Sequence, residues 1–209
     1  MAIDPSLYEE LHAKNPEFGG RGDAGGLTKN MKTSILKLKN AGFSSVLDFG
    51  TGKGNLVINL RNQLQGSGIT IDGYDPAVEE WAQKPSHPYD IVTCIDVLEH
   101  LEHHSIDNFL NELKRYTKHF CFLLIDLQPA VAHLSNGRNA HTLLAPHDWW
   151  AAKVAQHFDT TLNFPIHHKG GFMQKYIITA SQNTKAMTAM MTFTHKLNIF
   201  DAIMSNPKA

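Results

Sequence analysis

Two stretches of this chain, YDIVTCI at 89–95 and HFCFLLIDL at 119–127, are almost continuously apolar and rich in β-branched and aromatic residues. Runs of that length fit strands covered on both faces, the condition of central strands in a parallel sheet. Helical periodicity fills the sequence around them. Leu27, Met31, Ile35 and Leu38 recur at three- to four-residue steps and predict a helix over 28–41, ended by Gly42. Ile106, Phe109, Leu110 and Leu113 do the same over 106–118, with Ser105 as N-cap. Further strands are read at 45–49 and 70–74, and further helices at 55–64, 77–83 and 148–157. Such alternation implies βαβ units and an α/β fold, a mainly parallel sheet with helices on both faces. Two last strands, 159–164 and 174–179, have only the turn-like HHKGG at 167–171 between them. They are expected to form a hairpin that adds an antiparallel edge strand.

A chain of 209 residues suits one domain with a small appendage. Residues 1–26 read as an irregular N-terminal arm or flap, glycine-rich near its end. Residues 27–181 read as the α/β domain and 182–209 as a C-terminal helical extension. In that extension Met187, Met190, Phe193, Leu197, Phe200 and Met204 form one helical stripe. It either packs back on its own domain or makes a partner interface, most simply a homodimer. Lys+Arg number 19 and Asp+Glu 20, a balance that gives no electrostatic footprint for long nucleic acid. Cys94 and Cys121 lie inside apolar runs and read as reduced core thiols. No secretory signal is read at the N-terminus, and no apolar run reaches the ~18 residues of a membrane span. A cytoplasmic protein with no membrane partner is expected.

Chemistry concentrates at three places. The first is VLDFGTGKG at 46–54, between a strand and a helix. Gly50 and Gly52 permit a tight turn and let a ligand approach bare backbone, and Gly54 is expected to let the helix pack against the strand. The helix N-terminus offers free N–H groups beside them. The pattern is D-x-G-x-G-x-G, with Asn55 where a dinucleotide loop wants its third glycine. An acid at Asp48 repels a pyrophosphate and suits the ammonium of an amino acid. The second is Asp75-Pro76 at the end of the next strand, 21 residues after Gly54. An acid there accepts hydrogen bonds from both ribose hydroxyls of an adenosine. The third is Asp96-Val-Leu-Glu-His-Leu101, where a buried strand turns polar at its carboxyl end.

Together and in this order the three motifs resemble the class I S-adenosylmethionine (SAM)-dependent methyltransferases, over roughly residues 43–130. The resemblance implies a Rossmann-like methyltransferase fold with SAM as cofactor. It implies Asp48, Gly50, Thr51, Gly52 and Gly54 around the methionine part, Asp75 on the ribose and Pro76 beside the adenine. Asp96, Val97 and Leu98 are to lie along the cofactor, with Glu99 and His100 facing the acceptor. One departure stands out: only 13 residues separate Asp75 from Tyr89. The third strand of the family is vestigial or missing, and the partner of the adenine amine has no assignment.

The polar segment SNGRNAHTLLAPHDWW at 135–150 follows the second apolar run. Arg138, Asn139, His141 and His147 there serve either the acceptor side or structural capping. Trp149 and Trp150 read as one surface and one core residue of a helix. Methyl transfer to O–H or N–H needs alignment and a base, and His100 and His141 are the candidates. A rival reading gathers Glu99, His100, His103, His104 and His141 around a divalent metal. RNA-tail 2′-O-methyltransferases of this fold carry E-x-x-E-H plus a distant His, but here Asp96 stands at the first acid. Since the run is already explained as a cofactor segment, no metal is expected. The leading function is SAM-dependent methyl transfer to an O or N atom of a small-molecule or glycan acceptor. An RNA or protein methyltransferase and a catalytically silent SAM-binding domain are the alternatives.

Overall fold

The computed structural model describes residues 5–15, 18–20, 27–167 and 173–197. Its strands are β1 Ser45–Phe49, β2 Thr70–Tyr74, β3 Tyr89–Ile95, β4 Thr117–Asp126, β5 Thr160–His167 and β6 Met173–Ser181. Its helices are α1 Pro5–Lys14, α2 Leu27–Lys39, α3 Asn55–Gln63, α4 Ile106–Tyr116, α5 His147–Ala155 and α6 Met187–Lys196. The strands form one sheet in the order β2-β1-β3-β4-β6-β5. The two apolar runs, β3 and β4, lie side by side and parallel at its centre. β6 runs antiparallel to both β4 and β5. The terminal hairpin therefore closes this edge as expected, with its reversed strand one place in from the rim.

Alternation along each central strand feeds two cores. Val46, Ile91, Phe120, Phe122, Leu124 and Ile177 face α2, α3 and α6. Leu47, Val92, Cys94, Cys121, Leu123, Ile125 and Ile178 face α4 and α5, including the fully buried Trp150. Trp149 is half-buried and packs against the same core, so it sits at the core's margin and not on the surface as expected. Burying a Leu- or Phe-sized side chain contributes about 1.5–3 kcal/mol, so each layer is held by many such terms. Both cysteines are free and buried. The Ser105 side chain makes no capping bond to α4; a 3-10 turn, His103–Ser105, leads into that helix instead.

Three features depart from or sharpen the sequence reading. The arm is not irregular throughout: α1 occupies Pro5–Lys14. Its Tyr8, with Leu7, Leu11 and Phe18, packs on Leu134 and Ala140 of the loop between β4 and α5, a small third core. The family's third strand is missing. The stretch between β2 and β3 holds only a 3-10 turn, Glu79–Trp81, leaving β2 as the sheet's edge. The C-terminal helix packs back on its own domain. Met190, Phe193 and Leu197 are buried, Ser34 Oγ donates to the Phe193 carbonyl at 3.0 Å, and Asn30 Nδ2 donates to that of Leu197 at 2.9 Å. Phe200 and Met204 lie outside the described residues. No described helix is long and apolar enough to cross a membrane.

Candidate active site

The carboxyl ends of the parallel strands β1, β2 and β3 lie on one edge of the sheet, where ligands bind in open α/β folds. After β1 the chain crosses the end of β2: the N–H groups of Gly50 and Thr51 donate to the Tyr74 carbonyl at 2.7 and 3.1 Å. Gly50, Gly52 and Gly54 all have positive φ, at 87°, 55° and 76°, a region that strains any residue with a Cβ. Gly54 has a further reason to be glycine. A Cβ there would lie 2.3 Å from the Trp81 ring, so the bare position accommodates that indole rather than a strand. At Gly50 a Cβ would meet Val97 at 2.4 Å, which fixes Val97 against the loop.

Asp75 is buried at the end of β2 and holds the loop in place. Oδ2 accepts the Gly52 N–H at 2.8 Å and Oδ1 that of Ala77 at 2.9 Å. Each oxygen keeps a second lone pair. Asp48 accepts the Thr93 hydroxyl at 2.8 Å, and burial pushes its carboxyl up to about 6 despite that bond. Pro76 is half-buried just beyond Asp75, and Thr51 is buried within the loop.

At the end of β3, Asp96 adopts φ 53°, a left-handed conformation uncommon for a residue with a side chain. Lys175 of β6 holds both its oxygens, at 2.7 and 2.8 Å, and lies 3.4 Å from Asp126. Leu98, expected along the cofactor, presents no exposed surface. It is wholly buried in the core under α4, because the 3-10 turn Leu98–His100 rotates it inward.

From that same turn Glu99 reaches the end of β4 and His100 the β4–α5 connection. Glu99 is 0% exposed, and its Oε1 accepts the Asp126 N–H at 3.1 Å. Burial, reinforced by Asp96, raises its carboxyl well above the usual range. His100 Nδ1 lies 2.8 Å from the Ala140 carbonyl, and burial pushes its imidazole down to about 4. His141 Nδ1 lies 2.5 Å from the Gln128 carbonyl, and the two imidazoles meet edge-on at 4.8 Å between centroids. His103 and His104 stay exposed on the next turn, outside this cluster.

The polar segment at 135–150 divides. Asn139 is a clamp: it accepts the N–H groups of Ala130 and His141, each at 2.9 Å, and donates to the Ala130 carbonyl at 2.7 Å. Arg138 makes an exposed bidentate pair with Glu102 at 2.7 and 3.2 Å. His147 is exposed against Tyr176. Only His141 joins the site.

Several site residues escaped the sequence reading. Tyr8 donates to the carbonyls of His100 at 2.7 Å and Ala140 at 3.1 Å, tying α1 to both sides of the histidine pair. Gly19 accepts the Lys53 N–H at 3.0 Å, so residues 18–20 rest on the glycine loop. Lys175 and Trp81 come from elements far along the chain. A lone Tyr or Lys carries no motif, so these residues left no signal.

A family model described as a methyltransferase domain matches residues 13–167. The chain belongs to this methyltransferase family. It is a class I SAM-dependent methyltransferase, with SAM as its cofactor. A solved structure, the DhpI–SAH complex, is similar with a TM-score of 0.53 at 12% identity, over 86% of this chain and 95% of that one. An O-methyltransferase family protein from Burkholderia thailandensis is similar with a TM-score of 0.52 at 14% identity, over 75% and 56% of the two chains. Among curated proteins, a ubiquinone biosynthesis O-methyltransferase of Citrobacter koseri is 51% identical over 35 residues. That stretch is 17% of this methyltransferase and 14% of the relative.

The residues at the loop fit the cofactor. Three glycines bare the backbone near two acids: Asp48 suits an ammonium, and the free lone pairs of Asp75 suit a diol.

Proposed function

We propose that this methyltransferase transfers the methyl group of SAM to an oxygen or nitrogen of a small-molecule or glycan acceptor. In this reading Asp48, Gly50, Thr51, Gly52 and Gly54 surround the methionine part, Asp75 holds the ribose, and Pro76 flanks the adenine. Asp96 and Val97 lie alongside, and residues 18–20 of the arm cover the loop. The observation that carries the acceptor side is the histidine pair beyond the β3 end. A carbonyl only accepts, so Nδ1 of His100 and of His141 bears the proton and Nε2 keeps its lone pair. His100 is neutral near pH 7, since burial holds it at about 4.

When bound, SAM supplies an electrophilic methyl on a sulfonium sulfur. The protein's share is to align the acceptor with that methyl and to take the acceptor's proton at an imidazole Nε2. Oxygen acceptors gain support from the short match to an O-methyltransferase of ubiquinone biosynthesis.

The test is transfer of a radiolabelled methyl from SAM into a cell extract, separated into small-molecule, glycan, RNA and protein fractions. Label in the first two supports the proposal. Label in RNA or protein moves the acceptor to those classes, and SAM binding without label anywhere makes the domain catalytically silent.

A further inference from the structure

Glu99, His100 and His141 present an arrangement that a general base alone does not explain. Glu99 Oε2 is enclosed and has no hydrogen-bond partner among the described residues. Leaving a buried carboxylate oxygen unpaired is expensive, about 1–3 kcal/mol or more. One ligand-type atom from each of the three residues lies within 4.8 Å of the others. With both Nδ1 atoms on backbone carbonyls, each imidazole keeps its lone pair on Nε2. Two imidazole lone pairs and a carboxylate oxygen are three ligand atoms that one cation can engage together. The neighbouring ammonium, Lys175, is already engaged by Asp96 and Asp126.

We propose that Glu99, His100 and His141 bind one divalent cation of the first transition row. Two imidazoles and one carboxylate are a donor set that such ions accept, and three protein ligands leave coordination positions open. Ligand atoms about 2.1 Å from an ion stand roughly 3–4 Å apart, so filling the site needs only a small inward movement of these side chains. The supporting shell is already built. The Ala140 and Gln128 carbonyls fix both imidazole tautomers, as they do for metal-bound histidines. Asn139 fixes the backbone N–H of His141, and the Tyr8 hydroxyl fixes the carbonyls of His100 and Ala140.

The site's use rests on the proposed acceptor position; the binding itself does not. An acceptor hydroxyl on an open position would be acidified by the ion, and its proton would leave to water instead of to an imidazole. The oxygen then forms a bond to the methyl carbon, and the carbon–sulfur bond breaks with its electron pair remaining on sulfur. This departs from the expectation of metal-free activity. That expectation took Glu99 as part of a cofactor segment, whereas its side chain goes to β4.

The test is titration of EDTA-dialysed full-length protein with Co²⁺, followed by calorimetry and by the visible absorption of the bound ion. One Co²⁺ per chain is expected, with affinity at least about tenfold weaker in Glu99→Gln and in His141→Ala. Circular dichroism and SAM binding of each variant report whether it is folded, independently of metal. Absence of a Co²⁺ band in folded wild-type protein overturns the proposal and leaves the imidazoles as bases, as does wild-type affinity in both variants. Co²⁺ binding in a protein that fails to bind SAM would instead sink the cofactor reading and spare the metal site.

Discussion

Lys175 grips both carboxylate oxygens of Asp96, at 2.7 and 2.8 Å. One partner is on the antiparallel β6, the other at the end of β3 in a left-handed conformation. The ion pair holds the chain where the strand turns into the Leu98–His100 turn, and it offsets three acids, Asp96, Asp126 and Glu99. Removing one partner of a fully buried pair costs about 3–5 kcal/mol. Here both groups retain some exposure, so Lys175→Met is expected to cost about 2 kcal/mol. Urea unfolding measures it, and a loss under about 0.5 kcal/mol would mean that the turn is held by packing alone.

At Gly52 a Cβ would lie 2.6 Å from the Gly19 carbonyl, in a backbone region with φ 55°. Gly52→Val is therefore expected to displace residues 18–20 and abolish SAM binding, while the sheet keeps its far-ultraviolet dichroism. Calorimetry checks this: normal SAM binding by the variant would remove the loop from the cofactor site.

Asp90 supplies a pH dependence of stability. It is buried at the start of β3, where burial alone would raise its carboxyl. The Lys118 ammonium at 2.7 Å and the donors of Ser44 and Ser45 outweigh that and hold it at about 2. A folded value below the unfolded one stabilises above pH ~4 and loses that contribution as pH falls toward 2. Its size is about 2 kcal/mol. Unfolding of wild type and Asp90→Asn across pH 2–7 should show a gap near that size at pH 6, closing toward pH 2. A gap independent of pH would contradict the assignment.

Truncation after Ser181 removes Met190, Phe193 and Leu197 from the core and uncovers Met31, Phe120 and Phe122. Three such side chains contribute several kcal/mol against a total stability of about 5–15. The expected result is a fall in Tm of about 10 °C or more with the oligomeric state unchanged. A shift from dimer to monomer would instead make α6 an interface, through its exposed Met187 and Met191.

β3 and β4 were legible because burial on both faces leaves continuous apolar runs, and β1, β2 and β3 begin and end where the sequence places them. The glycine loop and Asp75 were legible because close backbone approach and a strand-end acid demand those residue types at fixed spacing. What the sequence hid depends on contacts between distant segments. The α1 sequence PSLYEELHAK is short and polar, and its apolar residues pack on a loop rather than the sheet. Leu98 reads as a neighbour of the cofactor until the turn rotates it into the core. Asp96 and Lys175 are 79 positions apart and meet only through the β4–β6 register. His100 and His141 meet because their Nδ1 atoms each find a carbonyl of the β4–α5 connection, which no periodicity records.

The most direct test is calorimetric titration of SAM into wild type and Asp75→Ala. Hydrogen bonds to charged groups are worth about 1.5–3 kcal/mol each, and Asp75 also anchors Gly52 at 2.8 Å. One SAM per wild-type chain is predicted, with affinity at least about tenfold weaker in the variant, equivalent to about 1.4 kcal/mol. Equal affinity in a folded Asp75→Ala protein, or no binding by wild type, would contradict the account.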